Sequence, residues 1–222
     1  MNPELLKQFR TPAQADKIEL LFRLYFGNIR VKGELRACVD RAYLDMNRTL
    51  HKFAGFSDAE GLRKEAHALA CRILTEFKDS ADNLDLNQFD EKHKKSCESL
   101  CLLYKERGFE SFTIGQAQKW INMSFKYIYL FGEERITRFA PLYDFAHVPL
   151  DRVMLRAFER NFAHFAPPSL PWNWSRIPCY EKYIDYQRWI RKTFPGYAPL
   201  AVEFWLWQAA DPNDFPDLSG LL

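Results

Sequence analysis

A chain of 222 residues that is 47% apolar and 27% charged has the balance of a folded globular protein, which excludes a disordered or low-complexity chain. No apolar run approaches the roughly 20 residues needed to cross a bilayer, and Met1-Asn2-Pro3-Glu4-Leu5-Leu6-Lys7 has no basic flank ahead of an apolar stretch, so a cytoplasmic chain with no membrane partner is expected. The net charge of +2 is unevenly spread: residues 101–200 carry 14 Lys and Arg against 9 Asp and Glu, and residues 201–222 carry four acids and no Lys or Arg, a distribution that fits a nucleic-acid contact surface.

Helical periodicity runs through the chain. Residues 13–26 place Ile18, Leu21, Phe22 and Tyr25 on one stripe, and residues 34–54 repeat Leu35, Cys38, Val39, Ala42, Met46 and Leu50 at helical spacing. Ser57-Asp58-Ala59-Glu60 has the pattern of a capping box opening a helix that carries Leu62, Ala66, Leu69, Ile73, Leu74 and Phe77. A polar stretch, 79–87, precedes a helix near 89–106, and a long aromatic-rich helix is predicted over 113–131. Further helices are predicted near 150–164, 179–193 and 199–209, with a Pro/Trp segment at 167–174. No period-2 run and no Asn-Gly hairpin argues for a strand. The expected fold is therefore all-α: one helical domain over 1–222, with an N-terminal lobe of about 1–107 and a C-terminal lobe of about 108–222.

Five cysteines are too few and too scattered for a disulfide framework. Cys97 and Cys101 are neighbours on a helix face, but no second pair of ligands lies nearby, so no metal is predicted.

Two segments carry candidate chemistry. In Phe112-Thr113-Ile114-Gly115-Gln116-Ala117-Gln118-Lys119-Trp120-Ile121-Asn122, a short connection between helices opens a new one. Gly115 and Ala117 allow a tight turn whose amides could hold a phosphate, with Lys119 in the first turn of the new helix. In Ala146-His147-Val148-Pro149-Leu150-Asp151-Arg152, Pro149 pre-sets a helix entry, and Asp151 falls at its start, where the helix dipole favours the ionised carboxylate.

Gly115-Gln116-Ala117-Gln118-Lys119, followed by Val148-Pro149-Leu150-Asp151 with Arg156 five residues on, resembles the helix-hairpin-helix DNA glycosylases of the 8-oxoguanine glycosylase/endonuclease III type. Here Ala117 replaces the second hairpin glycine, and Lys119 and Asp151 stand 32 positions apart, so an insertion near 131–145 must loop out. The resemblance implies a two-lobed helical fold acting on double-stranded DNA with a flipped nucleotide. It implies a carboxylate, Asp151, that supports departure of a modified or damaged base, and a lysine, Lys119, that attacks the sugar and adds abasic-site lyase activity. It also implies a DNA contact from Gly115, Gln116, Ala117 and Gln118. His147 and Arg152 are further candidate DNA contacts, and Trp172, Trp174 and Asn122 candidates for the base pocket. No cofactor is implied. So aromatic a chain could admit a bulky base, such as a hypermodified cytosine of phage DNA, with phage defence as the corollary.

The same residues have structural readings. Thr113 and Gln116 form a capping box; Lys119, Asn122 and Lys126 have the spacing of a solvated helix face; His147 can bond the loop backbone; and the tryptophans can pack the Pro-rich segment. Arg188, Arg191 and Lys192 read as an exposed basic face. A non-catalytic helical module that binds nucleic acid or protein is the alternative function.

Overall fold

Nine α-helices and no strand make up the regular structure in a computed structural model that describes residues 14–171 and 173–208. They are α1 (Gln14–Phe26), α2 (Ile29–Lys32), α3 (Glu34–Met46), α4 (Ala59–Ser80), α5 (Leu86–Glu106), α6 (Ile114–Phe131), α7 (Arg152–Phe162), α8 (Tyr180–Thr193) and α9 (Pro199–Gln208). The all-α class expected from periodicity is the one observed.

Local chemistry sets the helix starts. Asp85 accepts from the Gln88 amide at 2.8 Å while the Gln88 side chain accepts from the Asp85 amide at 2.9 Å, a reciprocal cap for α5 inside the stretch that reads only as polar in sequence. Thr113 and Gln116 cap α6 in the same way, as expected. The box expected at Ser57–Glu60 does not form. Asp58 occupies the N-cap position of α4 but makes no side-chain cap, because its carboxylate is drawn across to Arg107. The helix expected over 34–54 stops at Met46, and 3-10 turns at Asn47–Thr49 and Phe53–Gly55 follow, with Lys52 in the left-handed region at φ 65°.

The core is organised around α6, of whose 18 residues 16 are buried. Its most extensive neighbour is α3, where fully buried Ala37, Cys38 and Ala42 are small enough to let the two backbones approach. The indole of Trp120 is fully buried in that contact and donates to the Val39 carbonyl at 3.0 Å. Helices α5, α8 and the turn Trp174–Arg176 cover other sides, while α9 packs on α7. Buried apolar residues from Phe26 to Leu206 form one continuous cluster.

A helix buried all round must satisfy its polar residues internally. Six lie on α6, and each finds a partner: Gln116 on Thr49, Gln118 on Leu150, Lys119 on Asp151, Asn122 on His93 and Tyr183, Ser124 on the Trp120 carbonyl, and Lys126 on Glu203. The reading of Lys119, Asn122 and Lys126 as a solvated face is thereby corrected, since all three are buried.

Candidate functional site

Lys119, in the second turn of α6, and Asp151, the N-cap of α7, meet across 32 residues of chain. The Lys119 ammonium donates to Asp151 Oδ2 at 2.5 Å, and Asp151 Oδ1 accepts from the Met154 amide at 3.0 Å. The lysine side chain is 7% exposed and the aspartate 17%. Burial works to raise the Asp151 carboxyl, but the Lys119 charge and hydrogen bond, helped by the amides at the start of α7, outweigh it and hold the group below its ordinary value. Asp151 is thus a fixed, ionised carboxylate with an ammonium in contact, a pair whose carboxylate can stabilise developing positive charge and whose nitrogen can act as a nucleophile once it has given up a proton.

The segment that delivers Asp151 has no regular secondary structure of its own. Two buried glutamines hold it. Gln118 donates to the Leu150 carbonyl at 2.8 Å and accepts from the Leu150 amide at 3.2 Å; Gln187, on α8, does the same for Val148, at 2.8 and 3.1 Å. Each side-chain amide thereby satisfies both backbone groups of one residue, as a neighbouring strand would.

Beneath this segment lies a polar network. Asn122 donates to Gln118 at 3.0 Å and to the Tyr183 hydroxyl at 2.8 Å, and its carbonyl meets the His93 ring at 2.9 Å. His147 bridges Tyr183 at 2.7 Å and Asp90 at 2.8 Å, and Arg191 grips both Asp90 oxygens at 2.8 Å. Complete burial pushes His147 down to about 4, against the opposing hydrogen bond it makes to Asp90, and drives His93 well down too. Burial opposes ionisation of Asp90, but the hydrogen bonds from His147 and Arg191 prevail and hold its carboxyl far below the usual range. The neutral imidazole of His147 therefore donates from Nε2 to Asp90 and accepts the Tyr183 proton at Nδ1.

Several sequence candidates sit elsewhere than expected. Gly115, Gln116, Ala117 and Gln118 are buried, and their amides are spent inside the protein: Gly115 N–H donates to the Ile177 carbonyl at 3.2 Å, and Gln116 N–H to Thr113. They offer no exposed phosphate grip, because the turn Trp174–Arg176 lies directly over the start of α6. His147 and Asn122 are fully buried and belong to the network beneath the loop, so neither reaches a DNA phosphate or a base. Arg191 is tied to Asp90 and is not part of an exposed basic face. Trp172 lies outside the described residues. Cys97 is buried and Cys101 half-buried, and burial pushes Cys101 up to about 12, so both remain thiols.

Arg152 and Trp174 do stand with the Lys119–Asp151 pair. All four line an open cleft of about 810 Å³, together with Asp45, Arg48, Thr49, His51, Val153, Arg156, Asn173 and Ser175. Sequence reasoning missed Arg48 and His51, which flank the apolar Leu50 of the 34–54 repeat and carry no signal of their own. It also missed Glu203, a lone acid in the apolar helix α9. Glu203 is 1% exposed, and Lys126 donates to it at 2.6 Å while lying over the Phe204 and Trp207 rings.

No helix among the described residues is long and apolar enough to cross a membrane. No family model, curated protein or solved structure matches the chain.

Proposed function

We propose that the protein is a DNA N-glycosylase that removes a modified or damaged base and leaves an abasic site. The observation that carries this reading is the contact of Lys119 with the helix-capping carboxylate of Asp151 in a cleft whose cations outnumber its acids. Breaking a C1′–N bond sends its electron pair out with the base and leaves oxocarbenium character on the sugar. The Asp151 carboxylate stabilises that charge. In simple hydrolysis, water adds to C1′ and Asp151 takes its proton. In the lyase variant, Lys119 passes a proton to the Asp151 carboxylate it touches and its Nζ bonds to C1′ as the base leaves with the C1′–N electron pair; ring opening then gives a Schiff base, from which β-elimination expels the 3′ phosphate and breaks the strand. The cleft volume is that of a small-molecule pocket, sufficient for one extruded nucleotide, and half-buried Trp174 offers a surface for it.

The test is base release from a panel of oligonucleotides bearing oxidised, alkylated and otherwise modified bases, with naturally hypermodified phage DNA included. Asp151→Asn removes the charge but keeps a good N-cap, because asparagine caps as well as aspartate. Alkali-labile sites should fall by about 10²–10³-fold in that variant, and strand breaks formed without alkali should vanish in Lys119→Gln. Undiminished release by Asp151→Asn would overturn the mechanism. DNA that is bound but intact across the whole panel would favour a binding module.

A further inference from the structure

The acids of the cleft are already neutralised, and its arginines are not. Asp151 pairs with Lys119, and Asp45 with Arg41 and the Tyr127 hydroxyl. Arg48, Arg152 and Arg156 are exposed and, among the described residues, have no carboxylate within ion-pair distance. Elsewhere Arg107, Arg135, Arg138 and Arg188 have acidic partners, whereas exposed Arg63, Arg72, Arg160 and Arg176 have none among the described residues but line no shared cleft with Lys119 and Asp151. Exposed His51 stands two residues past the turn that carries Arg48. Three of the unpaired arginines therefore line the opening that contains Lys119 and Asp151, from two elements far apart in sequence: the turn after α3 and the start of α7.

We propose that Arg48, His51, Arg152 and Arg156 are the phosphate grip of the protein, binding the duplex DNA backbone on either side of the nucleotide presented to Asp151. The inference rests on the DNA reading of the cleft and supplies what that reading lacks, since the backbone amides at Gly115 and Gln116 are turned inward. Arg152 and Arg156 are one helical turn apart, about 6 Å along the axis, so they can address different phosphates of a strand whose charges recur every ~3.4 Å of rise. The charge assists binding without reading sequence.

The test is binding of a short duplex carrying a tetrahydrofuran abasic analogue, followed by fluorescence anisotropy across a salt series. Each arginine that neutralises a phosphate contributes about 0.9 to the slope of log K against log salt. The triple variant Arg48→Ala/Arg152→Ala/Arg156→Ala should lose between two and three units of slope, while Arg188→Ala, on α8 and outside the cleft, should keep the native slope. An unchanged slope in the triple variant, an equal loss in Arg188→Ala, or native binding of poly-glutamate as tight as that of DNA would each overturn the proposal. Thermal melts of the variants separate lost contacts from lost fold, since all three positions are exposed. Arginine-dependent binding with no base released anywhere in the panel would leave the grip standing and remove the glycosylase. Base release with an unaltered slope in the triple variant would do the reverse.

Discussion

Gly115 is fixed by contact. A Cβ there would stand 2.0 Å from the Trp174 carbonyl oxygen and 3.2 Å from the Ile177 amide nitrogen, both backbone atoms that no rotamer change can move. Gly115→Ala should therefore cost about 3 kcal/mol, the upper range for overpacking, measured as a shift in urea midpoint; a loss under about 1 kcal/mol would mean that the turn yields. This glycine was legible in the sequence, but for the wrong reason. It reads as a bend that frees amides for a phosphate, whereas the lack of a side chain lets residues 174–177 close over the helix start. Lys119 and Asp151 were legible because one follows a helix start and the other opens a helix, both local signals. Arg48 and His51 were not, because nothing local separates a solvated turn from the rim of a cleft.

At the scale of elements, α6 shows where periodicity fails. A helix with apolar residues on every side still has its polar ones in some row, and that row looks solvated unless remote partners are known. Those partners are Asp151, His93, Tyr183 and Glu203, between 29 and 77 positions away. The clamp on the 146–150 segment is equally hidden, since glutamine in a helix carries no mark of what it bonds. Gln118→Leu would leave both backbone groups of Leu150 without partners in a dry interior. At about 1–3 kcal/mol for each unsatisfied group, the loss should be about 3 kcal/mol. Amide exchange at Val148 and Leu150 should rise with it, and unaltered protection at Leu150 would show that the clamp is dispensable.

For the whole molecule, the buried histidines set the response to pH. His147 has a folded value of about 4 against an unfolded value near ~6.5, so the unfolded chain binds more protons between the two. The stability that follows is fully present above about pH 6.5 and is lost as pH falls toward 4, to the extent of about 3 kcal/mol for this group. His93, displaced in the same direction, adds to the loss. The depressed carboxylates of Asp90 and Asp151 act at lower pH, because their contributions are complete above the ordinary carboxylate value near ~4. Urea unfolding at pH 7.5 and pH 5 should show a clear drop in midpoint; equal midpoints would mean that neither histidine is buried neutral. The helical class was readable from composition and period, since apolar spacing is a property of the chain. The ionic interior was not, since it depends on which segments meet.

The paired glutamines also bear on which changes of chain length the protein can absorb. Because Gln187 engages Val148 and Gln118 engages Leu150, the route into α7 is indexed at two points, two residues apart, and a single inserted residue after Val148 would break one of them or displace Asp151 from Lys119. The exposed Thr137–Arg138 bend is held instead by one side chain, the Glu133 carboxylate, which accepts from the amides of Arg138 and Phe139 at 2.7 Å, so an insertion before Arg138 meets a local constraint but not the two-point index. The 32-residue interval between lysine and aspartate is thus held at both ends, by the buried length of α6 at its start and by the paired glutamines at its close, so the acid keeps its place only if length changes stay between the two.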